Sequence, residues 1–242
     1  MLKLKQIAEV LLPTHWATFR LLAFEGRDTN MNATEVETAL ALTLGDIHRI
    51  APVVRIHSQC TTGDVFHSLR CDCHDQLHLA LRTISEYGAG VVIYEHQEGR
   101  GIGLMEKLRA YQLQEKGLDT IEANLQLGHA IDLRDYALSV EVLRSLKIRC
   151  VQLMTNNPDK LDAVQSAGIE IVRRISASVP GNPHSAHYLA TKRDKLGHFS
   201  EANDGLLVPD PHSVRCASSA DAIHAQLHSG ALSLNVAQDP EN

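Results

Sequence analysis

Residues 53–94, VVRIHSQCTTGDVFHSLRCDCHDQLHLALRTISEYGAGVVIY, decide the fold class. Val53–His57 is rich in β-branched residues, as in a strand, and runs straight into the first of three closely spaced cysteines. Asp75–Tyr87 carries apolar residues at helical spacing and stops at Gly88, and Gly90–Tyr94 has the apolar character of a short buried strand. The stretch therefore predicts a strand, a cysteine-containing connection, a helix and a second strand.

The same alternation continues on both sides of this stretch. Further strands are predicted at Ala17–Phe24, Thr38–Leu44, Arg149–Thr155 and Ile169–Val172. Further helices are predicted at Gly103–Lys116, at Leu133–Leu146 and from Asn157 to Gly168. The pattern predicts an α/β fold, with α+β as the alternative, in which helices flank a mixed sheet.

Composition narrows the class of protein. The 242 residues are 44% hydrophobic and 21% charged, as in globular proteins, and no apolar run reaches the roughly 18–20 residues of a membrane helix. The N-terminus has no secretory signal pattern, which predicts a cytoplasmic protein without a membrane role. The net charge of −6 argues against a nucleic-acid partner, because such domains are usually basic.

The charge is concentrated at the C-terminus. Residues 201–242 contain six acids and one base, whereas residues 1–200 contain 22 bases and 23 acids. We expect one catalytic domain over residues 1–200 and an acidic, flexible tail over residues 201–242, with a linker at 201–215 and a short helix at 218–228.

Three of the five cysteines lie within fourteen residues, as Cys60, Cys71 and Cys73. Three thiolates with an open fourth position are typical of catalytic zinc, whereas structural zinc usually has four protein ligands. Four nearby histidines could supply the fourth ligand: His57, His67, His74 and His78. Catalytic zinc, structural zinc and buried thiols all stay open on spacing alone. The connection at 61–70 is predicted to be a loop around the metal, with Asp64 as a turn residue.

Two segments combine glycine or asparagine with a cation between a strand and a helix. Gln97–Gly103 and Thr155–Lys160 are suited to anion binding at a helix N-terminus, although each could equally be an ordinary turn. Asp132–Asp135 has a similar ambiguity, because Asp132 could simply cap a helix and Arg134 could be a surface residue.

Taken together, seven segments resemble the GTP cyclohydrolase II family, the entry enzymes of riboflavin biosynthesis. They occur in the family's order across residues 1–199 and are Arg55–Asp64, Ser68–Cys73, Gln97–Leu104, Lys107–Tyr111, Asp119–Asn124, Asp132–Tyr136 and Leu153–Pro158.

The resemblance implies a hydrolase that converts GTP to 2,5-diamino-6-ribosylamino-4(3H)-pyrimidinone 5′-phosphate, with release of formate and pyrophosphate. It implies one Zn²⁺ per subunit, Mg²⁺ with the substrate triphosphate, and a homodimer. Many relatives are fused to a dihydroxybutanone-phosphate synthase domain, and we expect this chain to be the stand-alone form.

The resemblance also assigns residues. Zinc is assigned to Cys60, Cys71 and Cys73, and catalysis to Asp132 as general base, to Arg134 and to Tyr111, which is implicated in handling the opened ring. Arg134 is proposed in the family to attack the α-phosphate, but stabilisation of the triphosphate charge is an equally good role. The GTP-binding positions are Arg55, Ile56, His57, Ser58, Gln59, Gln76, Glu98, Gly99, Arg100, Thr120, Thr155 and Lys160.

Three residues depart from the family pattern. Gln59 replaces the usual Glu, His74 replaces a Gly and His96 replaces an Arg. These changes motivate two alternatives. One is a variant enzyme that stops at the formamidopyrimidine or serves a secondary-metabolite pathway, and the other is a non-catalytic protein that binds zinc and nucleotide.

Overall fold

A computed structural model describes residues 2–28 and 36–199 of the chain. The predicted acidic tail at 201–242 lies outside these residues. The strands are β1 (Leu2–Pro13), β2 (Thr18–Asp28), β3 (Glu37–Leu44), β4 (Val53–Ser58), β5 (Gly90–Glu95), β6 (Cys150–Met154) and β7 (Glu170–Ile175). The helices are α1 (Thr61–Asp64), α2 (Cys73–Tyr87), α3 (Leu104–Gln114), α4 (Thr120–Gln126), α5 (Ala137–Ser145), α6 (Pro158–Ser166) and α7 (Ala186–Leu196).

The seven strands of the described chain form one mixed sheet in the order β1-β2-β3-β5-β4-β6-β7. Pairing is antiparallel from β1 through β2 and β3 to β5, and parallel from β5 through β4 and β6 to β7. The predicted α/β class with a mixed sheet flanked by helices is confirmed. No helix in the described ranges is long and apolar enough to cross a membrane.

Core side chains cover both faces of the sheet. Ile56 and Leu143 belong to the core on the α5 and α6 face, whereas Val53 and Ile84 belong to the core on the α2 face. The connection from β4 to β5 therefore crosses one face of the sheet, and the connection from β5 to β6 crosses the other face. Since β5 and β6 lie on opposite sides of β4, a crevice opens beyond the carboxyl end of β4.

The helix predicted at Leu133–Leu146 begins four residues later, at Ala137. Two carboxylates account for this difference, because Asp132 accepts the backbone N–H of Arg134 and Asp135 accepts that of Ala137. Such local hydrogen bonds compete with helical ones and keep the chain extended before the helix. Asp132 therefore does not cap α5.

Other elements were not predicted. β1 is an edge strand exposed along most of its length, so its sequence shows no clear alternation of apolar and polar residues. The short helix α1 occupies part of the connection predicted to be a loop, and α4 begins with a capping box at Asp119. α7 was also missed.

Candidate active site

A cleft lies at the carboxyl ends of the three central parallel strands, β4, β5 and β6. It encloses about 1080 Å³, counted with the solvent at its mouth. Of the eighteen residues assigned from sequence, sixteen line this cleft, and the exceptions are Ile56 and Asp132. The Ile56 side chain is buried in the core, but its backbone carbonyl accepts a hydrogen bond from Lys160 Nζ at 2.9 Å.

The three predicted metal ligands lie together on one wall. The sulfur atoms of Cys60, Cys71 and Cys73 lie within 4.8 Å of one another, and all three residues are free cysteines. Gly63 lies against them, since a Cβ atom there would be 2.9 Å from Cys71 Sγ and 3.1 Å from Cys60 Sγ. Three soft thiol donors that face a cleft fit zinc with an open fourth position.

A lysine stabilises negative charge on this cluster. Lys107 Nζ lies 3.0 Å from Cys60 Sγ and 2.7 Å from Glu98 Oε1. Hydrogen bonds from the thiols of Cys71 and Cys73, and then Lys107, lower the pKa of Cys60. The hydrogen bond with Cys60 raises the pKa of Cys71 to about 11. The surroundings thus favour a thiolate at Cys60.

Asp64 organises the start of the cysteine connection. Its carboxylate accepts hydrogen bonds from Cys60 N at 3.0 Å, from His57 Nε2 at 3.1 Å and from Tyr94 Oη at 2.9 Å. Burial lowers the pKa of His57, so its imidazole stays neutral and donates from Nε2. The predicted turn carboxylate is therefore the centre of a buried network beside Cys60.

A second group of cleft residues, the cation wall, consists of cations without carboxylate partners in the described chain. Among the described residues, Arg55, Arg100 and Lys160 form no ion pair, and both Nη atoms of Arg100 are buried without a hydrogen-bond partner. Burial, followed by repulsion from Arg55 and Arg134, lowers the pKa of Lys160. Such a group of buried cations favours an anionic ligand.

Arg55 is positioned by a chain of polar side chains. Its Nη2 donates to Gln76 Oε1 at 2.6 Å, and its Nη1 donates to the Met154 carbonyl at 3.2 Å. Gln76 Nε2 in turn donates to Asp72 Oδ2 at 2.6 Å. Asp72 lies between two of the cysteines in the sequence, so this series of hydrogen bonds links the cation wall to the thiol wall.

The three residues predicted to act in catalysis lie in two parts of the site, with Asp132 and Arg134 in one part and Tyr111 in the other. Arg134 lines the cleft and donates from Nε to Asp132 Oδ1 at 2.9 Å and from Nη2 to Oδ2 at 2.5 Å. Burial opposes the charge on both side chains, but their pairing lowers the pKa of Asp132 and raises that of Arg134. Tyr111 lies on the thiol side, with the Arg70 guanidinium 4.7 Å from its ring centroid.

Two of the departures from the family pattern contact each other. His96 Nδ1 lies 2.9 Å from Gln59 Oε1, and Gln59 Nε2 donates to Thr61 Oγ1 at 3.1 Å. The amide of Gln59 is thereby held beside Cys60.

The remaining predicted positions surround the cleft floor. Thr155 lies at the end of β6, and its Oγ1 accepts the backbone N–H of Asn157, while Thr120 is the first residue of α4. Ser58 Oγ is buried without a hydrogen-bond partner in the described chain. Gly99 and Arg100 both have positive φ, at 63° and 64°, which turns the chain after β5 toward the cleft.

Sequence analysis missed several residues of the site. Asp64 was assigned only a turn role, and Lys107 was quoted within a motif without a role of its own. An acid among metal ligands and a lysine one turn before Tyr111 were the available signals. Asp72 and Lys192 were not singled out, because their roles depend on contacts between distant segments.

Known proteins resemble the chain over most of its length. The profile of the family described as GTP cyclohydrolase II matches residues 5–176. The chain is 47% identical over 214 residues to GTP cyclohydrolase-2 of Histophilus somni (strain 2336), which covers 88% of this chain and 96% of that protein. It is 50% identical over 199 residues to GTP cyclohydrolase-2 of Yersinia pseudotuberculosis serotype I (strain IP32953), covering 82% and 98%.

Among solved structures, RibBX, a two-domain 3,4-dihydroxy-2-butanone 4-phosphate synthase from A. baumannii, matches with a TM-score of 0.37 and 15% identity. That match covers 73% of this chain and 40% of the other, and it is too remote for a comparison of folds. The sequence relatives and the family profile cover most of the chain. The chain therefore belongs to the GTP cyclohydrolase II family of enzymes.

Proposed function

We propose that the chain hydrolyses GTP in a zinc-dependent reaction that opens the imidazole ring. The C8 atom leaves as formate, the two terminal phosphates leave as pyrophosphate, and 2,5-diamino-6-ribosylamino-4(3H)-pyrimidinone 5′-phosphate remains. The observation that carries this proposal is that a three-thiol cluster and a group of cations without ion-pair partners among the described residues line one cleft. A purine triphosphate needs both walls, one for ring hydrolysis and one for phosphate charge.

The donor set and its surroundings support zinc at Cys60, Cys71 and Cys73, with one ion per subunit. When bound, zinc supplies Lewis acidity and lowers the pKa of water toward neutrality for attack at C8. The Lys107 ammonium stabilises the thiolate charge, and Gly63 leaves space beside the sulfur atoms. We expect Mg²⁺ to enter with the substrate triphosphate.

The cation wall supports binding of the triphosphate. Arg55, Arg100 and Lys160 are buried or partly buried and lack carboxylate partners among the described residues, so a bound polyanion would relieve their mutual repulsion. We assign the rest of the predicted set to GTP binding as well: Ile56 through its backbone, His57, Ser58, Gln59, Gln76, Glu98, Gly99, Thr120 and Thr155.

The Asp132–Arg134 pair supports an electrostatic role for Arg134. A guanidinium must lose a proton to act as a nucleophile, and the neighbouring carboxylate raises its pKa. We therefore propose that Arg134 stabilises phosphate charge while Asp132 serves as the proton acceptor. Tyr111, on the thiol side, is proposed to contact the opened ring.

The contact between Gln59 and His96 bears on the alternative product. In the family these positions carry Glu and Arg, so the paired change removes one negative and one positive charge and keeps a hydrogen bond. This compensation favours the full reaction over arrest at the formamidopyrimidine. The variant enzyme that stops at the formamidopyrimidine is the second candidate, because an amide at residue 59 cannot accept a proton.

Mass spectrometry of the product tests both candidates. Zinc-loaded full-length protein is incubated with GTP and Mg²⁺, and formate and pyrophosphate are quantified in the same sample. A product without C8, with equimolar formate and pyrophosphate, is expected. A product that retains the formyl group would identify the variant enzyme, and unchanged GTP would overturn the proposed function.

We also propose a homodimer in the cytoplasm. The edge strand β1 supports self-association, because it exposes Ile7, Val10 and Leu11 at 49%, 53% and 70%. Sedimentation velocity at several concentrations is expected to detect a species of twice 26.6 kDa. A single monomer peak throughout would contradict this part.

A further inference from the structure

α7 lies beyond residue 176, where the family match ends, yet it forms part of the cleft wall. Tyr188, Lys192 and Leu196 all line the cleft, together with His198 just after the helix. Their spacing of four residues places the three helical side chains on one face of α7. The helix therefore presents a continuous face to the space between the thiol and cation walls.

α7 is held over the cleft by two contacts near its C-terminal end. Lys195 pairs with Asp119, the N-cap residue of α4, on one side. On the other side, Phe199 N donates to the Asn156 carbonyl at 3.0 Å, and the Arg174 guanidinium lies 4.7 Å from the Phe199 ring centroid. These contacts connect α7 to the segments that carry Thr120 and Thr155.

Lys192 brings a further cation into the cleft. Its Nζ donates to Asp72 Oδ1 at 2.7 Å and lies 4.5 Å from the Tyr188 ring centroid, and its side chain is 14% exposed. Burial opposes the charge on this lysine, but Tyr188 and Asp72 raise its pKa, so it remains an ammonium. An ammonium has three N–H donors, and among the described residues Asp72 accepts from one.

Four cations converge around the same space. Burial is the main reason that the pKa of His198 is lowered to about 3. The positive charges of four side chains lower it as well: Lys192, Arg134, Lys160 and Arg100. The cleft lining contains seven lysine and arginine side chains and one acidic residue, Glu98. The position of Lys192 is thus continuous with the cation wall as well as with Asp72.

We propose that Lys192 is a further ligand of the substrate phosphates and that α7 closes the cleft over them. The proposal deepens the proposed function and rests on it for the identity of the substrate. The shared chemistry is a polyphosphate, which the free donors of Lys192 would contact while Asp72 keeps the side chain oriented. Asp72 also positions Gln76 and Arg55, so one carboxylate would align two phosphate-binding cations.

The test uses full-length, zinc-loaded protein and inorganic tripolyphosphate as the probe, measured by calorimetry. Lys192→Met is expected to weaken tripolyphosphate binding by about 10- to 100-fold, as expected for loss of a hydrogen bond to a charged group. It should raise KM for GTP more than it lowers kcat. Guanosine binding and zinc content should stay unchanged, and Lys192→Arg should restore most of the lost affinity.

Arg193→Met is the matched control, because it removes an exposed cation of the same helix that pairs with the neighbouring Asp194 and does not line the cleft. This control should leave tripolyphosphate affinity unchanged. If Lys192→Met does not fold, Lys192→Gln removes the ammonium but keeps an N–H donor for Asp72, and it carries the same expectation.

Unchanged tripolyphosphate binding in the Lys192 variant would overturn the proposal. So would an equal loss of guanosine, zinc and tripolyphosphate binding, which would indicate a structural role through Asp72. Failure of the wild-type protein to convert GTP would overturn the proposed function instead, and the tripolyphosphate measurement would still decide the role of Lys192.

Discussion

Asp64→Asn is the most informative single change at the thiol wall. The Asp64 side chain is 5% exposed and accepts hydrogen bonds from Cys60 N, His57 and Tyr94. Asparagine keeps the shape but has one acceptor oxygen, and its amide group would face hydrogen-bond donors. The variant therefore leaves at least one buried donor without an acceptor and removes the charge from the other contacts.

The magnitude follows from the three contacts. Hydrogen bonds to charged groups contribute about 1.5–3 kcal/mol each, and an unsatisfied buried donor costs about 1–3 kcal/mol. Since one acceptor survives, we expect a loss of about 3–5 kcal/mol in the free energy of unfolding. For a chain of this size, that corresponds to a decrease in Tm of roughly 6–20 °C.

Thermal unfolding of the zinc-loaded protein gives the stability, and a chromogenic chelator gives the rate of zinc release. Zinc release should accelerate because Asp64 fixes the backbone of Cys60. The matched control is Asp75→Asn, which neutralises an exposed carboxylate in the first turn of α2 and should cost at most about 1 kcal/mol. Equal stability and equal zinc release in the two variants would refute the positioning role of Asp64.

Three further changes test other contacts. Gln59→Glu and His96→Arg should each lower kcat/KM more than the double variant does. The coupling energy between the two changes should be about 0.5–3 kcal/mol. Strictly additive effects would contradict the pairing of the two side chains. Gly63→Ala places a Cβ 2.9 Å from Cys71 Sγ, so zinc affinity should fall by about 10–100-fold in a competition titration, and unchanged affinity would show that the sulfur atoms can move aside. Burial raises the pKa of Glu95 from 4.5 to about 7. Between these pH values the folded protein holds a proton that the unfolded chain has lost. The free energy of unfolding therefore falls as the pH rises through this range. Glu95→Gln should remove this decrease of roughly 3 kcal/mol, which is measured by denaturant titrations from pH 4.5 to 8. The same decrease in the variant would show that other groups cause it.

The central strands were predictable because their signals are local. Val53–His57 and Gly90–Tyr94 are buried on both faces and rich in β-branched residues, and they match β4 and β5 to within a residue at each end. β1 was not predictable in this way, since it lies at an edge and buries little of its length. The late start of α5 depends on carboxylate hydrogen bonds that compete with helix formation.

The site was predictable where chemistry lies in short motifs. The spacing of Cys60, Cys71 and Cys73 predicted a cluster, and the structure brings the three sulfur atoms together. Spacing alone left catalytic and structural zinc open, and the resemblance to a family decided between them. Lys192 shares no motif with the cysteines, and its contact with Asp72 spans 120 residues, so only the folded chain brings them together.

Strand β4 explains how the two walls of the cleft keep a fixed separation. Arg55 and His57 are two residues apart, so both side chains leave the same face of the strand, about 6.6 Å apart along it. Arg55 is itself part of the cation wall, and His57 connects through Asp64 to Cys60 on the thiol wall. A register slip of one residue would turn both side chains into the core. Because one rigid strand sets this distance, the flanking loops can vary, as the Gln59–His96 pair does, without moving one wall relative to the other.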